Sequence, residues 1–184
     1  TMMNQGQIKF NCGDTPDLFD EKKFIDNYKN YNFYDFQGST WAPSVVHKDI
    51  WKKVGGLSEE YFPGMGSDPD FNFKLWNIGV RIFKGINNCK VYHFGSIVLR
   101  EKINKINKKN KYGSKSGKLF LLKWGISIKF FKKFYLRSNT KYNGPLYNPV
   151  KNLKYFFYLF ICRIHFLYLK FFYRKLIKDI SSIK

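Results

Sequence analysis

Apolar residues recur at helical spacing within the first third of the chain. Val46, Ile50 and Val54 lie four residues apart, so their side chains share one face of a helix. Ser44 is a residue type that caps helix N-termini, and Gly55 accepts the left-handed conformation that ends a helix. The pattern therefore predicts a helix from Ser44 to Val54.

A second apolar stripe follows a glycine-rich loop. Phe71, Leu75 and Ile78 are spaced by four and three residues, which predicts a helix with one buried face. Asp68 stands at its expected start as the N-cap, where a side-chain oxygen accepts hydrogen bonds from backbone N–H groups. Gly79 is expected to end this helix.

Shorter elements are predicted after this helix. Residues 80–84 and 89–93 each predict a short strand, because a turn of glycine and asparagine separates two apolar runs. Residues 101–118 are rich in lysine and asparagine and predict a solvated linker.

The end of the chain predicts long helices. Residues 119–136 are aromatic and basic and predict a helix with a break near Gly125. Residues 151–180 predict one long helix.

The charge is unevenly distributed. Lys and Arg number 33 against 13 Asp and Glu, and only Glu101 and Asp179 of these acids follow residue 70. A basic field of this kind attracts nucleic acid or an anionic membrane surface. Few of the basic residues are arginine, which argues against a sequence-specific nucleic-acid reader, since the bidentate guanidinium reads base edges best. A gene rich in A and T would also enrich lysine, and is an alternative cause.

The cysteines carry no metal or disulfide signal. Cys12, Cys89 and Cys162 are odd in number and far apart, and no CxxC pair is present. Neither a zinc site nor a disulfide framework is indicated, so a reduced, cytoplasmic location is expected.

The Asp68-Pro69-Asp70 segment is the strongest candidate for chemistry. Acids are common at helix starts for structural reasons, so the segment alone is a weak signal. Its context is more informative. Val54-Gly55-Gly56-Leu57 precedes a glycine-rich loop, Ser67-Asp68-Pro69-Asp70 opens the apolar helix, and a predicted strand ends at His93.

This order resembles the second half of the catalytic domain of family 2 glycosyltransferases, which have the GT-A fold. The family's pattern is a GGF-D/E-E turn, an E-D-x-D loop, an R-L-x-x-x-G helix and a strand ending in His. The resemblance covers about residues 38–96, and Lys123-Trp124-Gly125 resembles a segment that many members carry after the domain.

The resemblance implies an α/β fold with three regions. Residues 1–100 would be the C-terminal portion of a GT-A (Rossmann-like) nucleotide-diphospho-sugar transferase domain, with the acceptor-side loop. Residues 101–118 would be the linker, and residues 119–184 a basic, aromatic helical tail.

By the same resemblance, Asp68 is the general base of an inverting transfer and accepts the proton of the acceptor hydroxyl. Gly66, Ser67, Asp70 and Trp41 are expected to support the acceptor loop. An N-cap position favours the ionised carboxylate, and this preference weakens Asp68 as a base.

His93 corresponds to the family's late ligand to a divalent metal, Mn²⁺ or Mg²⁺. The alternative is a strand-end histidine bonded to a backbone carbonyl. The chain departs from the family pattern at three positions: Ser67 stands for Glu, Leu57 for Phe and Lys74 for Arg.

The family's first half, with its parallel strands and metal-binding Asp-x-Asp, has no counterpart in this sequence. We therefore expect a fragment that lacks the donor-binding half, with the metal bound only in the complete enzyme. The expected partners are a nucleotide-sugar donor and a glycan or lipid-linked acceptor, and nucleic acid is not expected.

The tail leaves alternatives open. Arg163, Lys170, Arg174 and Lys178 share one helical stripe, and an aromatic helix of this kind suits either the membrane interface or packing on the catalytic domain. Charges interrupt the apolar run, which disfavours a spanning helix. If the tail binds the membrane interface, the cytoplasmic protein is expected to be peripheral on the inner face of the membrane. The competing function is a non-enzymatic basic module, residues 101–184, that binds nucleic acid or anionic membrane.

Overall fold

The computed structural model describes most of the chain. The described residues are 8–38, 43–62, 64, 66–94 and 111–172; of residues 111–114 the structure describes the backbone only. Trp41, one of the predicted acceptor-loop residues, lies outside this part of the chain.

Helices dominate the described residues. They are α1 (Glu21–Asn27), α2 (Lys48–Val54), α3 (Ser67–Asn77), α4 (Lys111–Trp124), α5 (Ile128–Phe130) and α6 (Leu153–Phe172). The α5 helix continues directly into one wider, π-helical turn over Phe131–Tyr135. Single 3₁₀ turns cover Pro16–Leu18, Tyr28–Asn30 and Glu59–Tyr61.

Two short strands form an antiparallel pair. Strand β1 (Phe36–Gln37) pairs with β2 (Lys84–Gly85), with Phe36 opposite Gly85 and Gln37 opposite Lys84. The predicted strand over 80–84 is therefore wrong except at its last residue.

Residues 80–83, which precede β2, are held in place by contacts of Arg81 and not by pairing with another strand. The Arg81 guanidinium lies 4.0 Å from the centre of the Trp76 ring and donates to the Trp76 carbonyl oxygen at 2.7 Å. The Arg81 carbonyl oxygen accepts from the Leu146 N–H at 2.8 Å. These partners take the place of a neighbouring strand.

The predicted strand over 89–93 is also wrong, because these residues have no strand partner within the described part of the chain. The Tyr92 side chain anchors this segment instead. Its hydroxyl accepts from the Cys12 N–H and donates to the Gly13 carbonyl oxygen, each at 2.8 Å. Phe19 and Phe94 pack against the same ring.

The α2 helix is shorter than predicted at its start. Residues 44–47 are not helical, and His47 is the N-cap in place of Ser44. The His47 Nδ1 accepts a hydrogen bond from the Asp49 N–H at 3.3 Å. The predicted end is confirmed, since Gly55 adopts a positive φ of 70°.

The α4 helix begins inside the predicted linker. Residues 111–118 are helical, so the expectation of a linker over 101–118 is wrong for that part, and 101–110 lie outside the described residues. The predicted break at Gly125 is confirmed by its φ of 70°. The predicted helix over 151–180 is confirmed over Leu153–Phe172; residues 151–152 are not helical, and 173–180 lie outside the described residues.

One hydrophobic core joins the two halves of the described chain. At its centre, the Phe73 ring of α3 lies 4.8 Å from the rings of Trp124 and Phe131. The core members come from both sides of the undescribed segment 95–110: Tyr61, Phe71, Phe73, Leu75, Trp76, Phe83, Leu119, Phe120, Leu121, Ile126, Phe130, Phe131, Leu136, Leu146, Tyr155, Cys162 and Leu169. The C-terminal helices therefore pack on the region that carries the candidate site.

Gly38 connects β1 to the end of the π-helical turn. Its N–H donates to the Phe83 carbonyl oxygen at 2.7 Å, and its φ is 67°. A Cβ atom at this position would lie 2.3 Å from the Leu136 carbonyl oxygen. Only glycine fits this junction without a backbone shift.

We predict that Gly38→Ala lowers the free energy of unfolding by about 2–4 kcal/mol, through left-handed strain plus overpacking. Gly55→Ala is the matched control, since Gly55 has a similar φ of 70° but no atom within 4 Å of the added Cβ. The control should lose about 1–2 kcal/mol. Equal losses in urea denaturation would show that the close approach at Gly38 has no energetic consequence.

Candidate active site

The loop between α2 and α3 is shaped by close glycine contacts. Gly66, the last residue before α3, has a φ of 92°, and a Cβ there would lie 2.9 Å from the Ser116 Cβ. Gly56 likewise packs against the Trp51 ring, which an added Cβ would meet at 2.8 Å. The loop can approach α2 and α4 this closely because these residues lack side chains.

The Asp70 carboxylate is the most deeply buried charged group of the described chain, with no exposed surface. Ser58 Oγ donates to Asp70 Oδ2 at 2.6 Å, and Trp124 Nε1 donates to Asp70 Oδ1 at 2.7 Å. The Tyr61 hydroxyl is 3.3 Å from Oδ1. Donors from the loop and from α4 therefore converge on one side chain of α3.

Two lysines complete this buried polar group. Lys123 Nζ lies 2.9 Å from Asp70 Oδ1 and 2.7 Å from Glu60 Oε1. Lys74 Nζ lies 3.9 Å from Asp70 Oδ2 and donates to the Gly56 carbonyl oxygen at 2.6 Å. Two carboxylates thus face two ammonium groups, so the formal charge of the group is balanced.

We call this set the Asp70 cluster. Its members are Ser58, Glu60, Tyr61, Asp70, Lys74, Lys123 and Trp124. Burial lowers the pKa of the Lys74 ammonium, although the Asp70 carboxylate opposes this shift. Burial, with the nearby Asp70 charge, raises the pKa of Tyr61, so the phenol keeps its proton.

The Asp70 cluster fixes the first turn of α3, which carries Asp68. The predicted N-cap role of Asp68 is wrong: Gly66 is the N-cap, and Asp68 is the second helical residue. The reason is that Gly66 supplies the left-handed turn into the helix, so α3 begins one residue before Asp68. The Asp68 carbonyl oxygen accepts from Asn72 Nδ2 at 2.8 Å.

The Asp68 carboxylate differs from that of Asp70 in its surroundings. The residue is half-buried, and its carboxylate forms no hydrogen bond or ion pair with a described residue. Burial raises the pKa of Asp68 above the ordinary aspartate value. The weakening expected from a capping position does not arise, because Asp68 is not the N-cap, and desolvation shifts its pKa in the opposite direction.

Ser67 is bonded within the loop. Its Oγ donates to the Gly64 carbonyl oxygen at 2.6 Å, and its N–H donates to the same oxygen at 3.2 Å. This small hydroxyl closes the loop on itself.

An open cleft of about 460 Å³ lies along the loop. Its lining residues are Leu57, Ser58, Glu59, Tyr61, Phe62, Gly64 and Ser67. Phe62 is 76% exposed there, although it is a large apolar side chain. The cleft and the first turn of α3 are adjacent, since Ser67 belongs to both.

His93 lies in a different environment from the Asp70 cluster. It is exposed and follows Tyr92, whose ring packs on Phe19 and Phe24. Within the described ranges, no group of three His, Cys, Asp or Glu residues is placed to hold a metal ion. The described residues therefore do not provide a metal site around His93.

Sequence reasoning missed the partners of Asp70. In the sequence, Lys123 and Trp124 stand out only as part of a segment that resembles the family, and no motif singles out Ser58 or Glu60. One signal was available: the sequence contains both an acid at a predicted helix start, Asp70, and a Lys123-Trp124 segment whose side chains can donate hydrogen bonds to it. Burial of that acid, which the sequence does not display, is what brings these groups together.

Comparison with known proteins gives no match: no family model, curated protein or solved structure is significantly similar to this chain.

The raised pKa of Asp68 predicts a pH-dependent stability. A carboxyl group whose pKa is higher in the folded state binds its proton more tightly there, so stability falls as pH rises from the ordinary value of 3.8 through the raised one. We predict that Asp68→Asn removes this fall, and that the variant is at least as stable as the parent chain at pH 7.

Urea denaturation at several pH values measures this difference. Asp17→Asn, at an exposed position, is the control and should change stability by less than about 0.5 kcal/mol at every pH. A neutral-pH loss of stability in Asp68→Asn would show that the charged carboxylate stabilises the fold.

Proposed function

We propose that the chain carries the acceptor side of an inverting glycosyltransferase of the family 2 type, with Asp68 as the general base. Three observations support this proposal, and the third carries it. The first is the order of motifs from Gly55 to His93. The second is the contact of Asp70, in the first turn of α3, with Lys123 and Trp124; the two segments resemble the family separately and meet in the fold.

The observation that carries the proposal is the contrast between the two aspartates. Asp70 is saturated by hydrogen bonds and ion pairs, so its carboxylate is committed to structure. Asp68, two residues earlier, is half-buried with a raised pKa and no described partner. A general base needs this second set of properties, because its oxygen must be available and its proton affinity must suit neutral pH.

In the proposed reaction, a hydroxyl oxygen of the acceptor attacks the anomeric carbon of a nucleotide-sugar. The proton of that hydroxyl passes to the Asp68 carboxylate. The bond from the anomeric carbon to the diphosphate oxygen breaks, and the nucleoside diphosphate leaves with the electron pair. A single displacement of this kind inverts the anomeric centre.

The chain's own residues would position the acceptor. The cleft presents the exposed Phe62 ring, a flat apolar surface of the kind on which a sugar face stacks, and the Glu59 carboxylate, which accepts hydroxyl hydrogen bonds. A glycan or the sugar of a lipid-linked acceptor has both kinds of surface. We therefore place the acceptor in this cleft.

A divalent metal remains an expectation from the family and has no role in the steps above. His93 is its predicted ligand and stays a prediction: no group of three His, Cys, Asp or Glu residues is placed to hold a metal within the described residues, and the resemblance puts the other ligands in the family's first half. We accordingly assign the binding of metal and nucleotide to no residue described here.

The test measures acceptor-dependent release of nucleoside diphosphate by the native protein, purified from its source. We predict that Asp68→Asn lowers turnover at least about 100-fold, the usual scale of a lost general base, and does not lower the thermal unfolding temperature. Asp17→Asn, at an exposed position outside the cleft, should retain full turnover.

Two outcomes would contradict the proposal. Near-normal turnover in Asp68→Asn would remove this carboxylate from the mechanism. The absence of nucleoside diphosphate release from every common nucleotide-sugar, with glycan and lipid-linked acceptors present, would remove the transferase assignment.

A further inference from the structure

The α6 helix buries one narrow stripe and exposes a wide apolar face. Tyr155, Cys162 and Leu169 are buried and belong to the core. They are spaced by seven residues, so they form one line along the helix. The rest of the helix surface is open to solvent or only half-covered.

The outer face of α6 is centred on Phe157, Phe160 and Ile164 and runs from Leu153 to Phe171. At 3.6 residues per turn it spans an arc of about 140°, and every residue within that arc is apolar or aromatic. Phe160 is 62% exposed and Phe171 is 66% exposed. Soluble proteins rarely leave a continuous apolar surface of this kind uncovered.

Basic residues border this face on both sides. Arg163 and Lys170 lie along one edge of the arc, and Lys154 and His165 lie along the other. All four are exposed. The whole segment 111–172 contains thirteen Lys or Arg and no Asp or Glu. The apolar face is thus flanked by positive charge and surrounded by no negative charge from its own segment.

The charge and the apolar character of the outer face of α6 decide which kind of partner can cover it. A second copy of the chain would bring its own thirteen basic side chains against the same segment. A nucleic acid would satisfy the charges but would leave aliphatic side chains such as Ile164 and Leu167 without an apolar partner. An anionic bilayer offers acyl chains to the apolar face and phosphate groups to the bordering cations.

The buried residues of α6 decide whether the helix crosses a membrane or lies along its surface. By length and composition, Leu153–Phe172 is the one described helix that is long and apolar enough to cross a membrane, with a mean hydropathy of 1.3. Crossing would pull Tyr155, Cys162 and Leu169 out of the core, where Tyr155 packs on Phe130 at 5.0 Å. A helix attached to a domain along its whole length can lie in the interface without this loss.

We propose that the outer face of α6 docks the protein on an anionic membrane, with the helix axis parallel to the surface. The aromatic and aliphatic side chains enter the boundary between head groups and acyl chains. Lys154, Arg163 and Lys170 remain at the level of the lipid phosphates, where their stems can lie along the apolar surface. This inference rests on α6 alone and holds whether or not the transferase proposal is correct.

The first experiment measures co-sedimentation of the 184-residue chain with vesicles of phosphatidylcholine and phosphatidylglycerol. We expect binding at low salt and partial retention at about 1 M salt, where charges are screened beyond about 3 Å but apolar burial persists. Replacing Phe157, Phe160 and Ile164 together by serine should weaken partitioning on the order of 100-fold.

Two matched controls separate the apolar and charge contributions. Serine at the exposed apolar positions Leu18, Val45 and Ile86, which do not belong to α6, should leave partitioning unchanged. Glutamine at Lys154, Arg163 and Lys170 should weaken binding to anionic vesicles, whereas glutamine at Lys9, Lys52 and Lys53 should do so much less. Complete release at high salt, or unchanged binding of the triple-serine variant, would overturn the proposal.

The second experiment measures depth. Phe157, Ile164 and Phe171 are replaced singly by cysteine in a Cys89→Ser background and spin-labelled, the native Cys12 and Cys162 being only 2% and 5% exposed. Position 157 lies about 21 Å from position 171 along the helix axis. Equal depths, about 5–10 Å into the boundary, indicate a helix parallel to the surface. Depths that change by a large part of that length would show a spanning helix and would overturn the proposed orientation.

Discussion

The burial of the Asp70 carboxylate is the constraint on which the rest of this structure depends. An ionised carboxylate taken out of water costs several kcal/mol unless donors and an opposite charge replace the lost solvent. Those donors must come from elsewhere in the chain, because α3 itself offers only Lys74 at 3.9 Å. The loop supplies Ser58, and α4 supplies Lys123 and Trp124. One buried charge therefore sets the relative positions of the loop, α3 and α4.

The site and the proposed membrane face both follow from this arrangement. The turn that carries Asp68 is fixed by the cluster two residues later, and the cleft is formed by the same loop. The α4 helix that closes the cluster also contributes Phe120 and Leu121 to the core on which α6 packs. The proposed base Asp68 and the proposed docking helix α6 therefore belong to elements that share one core.

Much of the local structure could be predicted from the sequence. The apolar spacing in α3, the glycine stops at Gly55 and Gly125 and the long C-terminal helix are each local in origin, and each is found. The starts of helices were less predictable. Ser44 and Asp68 are good capping residues, yet His47 and Gly66 take those positions because the loops before them set the backbone conformation.

The long-range contacts could not be predicted in this way. Arg81 stacks on Trp76, and the segment around it is irregular where a strand over 80–84 was predicted. No local sequence pattern predicts that contact. Similarly, the sequence pairs Asp70 with Lys74 at helical spacing, whereas the shorter ion pair is with Lys123, 53 residues later. The function of Asp68 could be proposed from a motif, but its half-buried state and raised pKa required the fold.

The most direct test of the central claim is a double-mutant cycle on Asp70→Asn and Lys123→Met, measured by urea denaturation. If the buried carboxylate organises the site, Asp70→Asn alone should cost about 3–5 kcal/mol, because Lys74 and Lys123 lose their buried partner. The coupling energy should be about 1–3 kcal/mol. It should exceed that of the partly exposed Asp35–Lys84 pair, whose atoms are 2.7 Å apart. A coupling near zero, with each single change costing less than about 1 kcal/mol, would contradict the account.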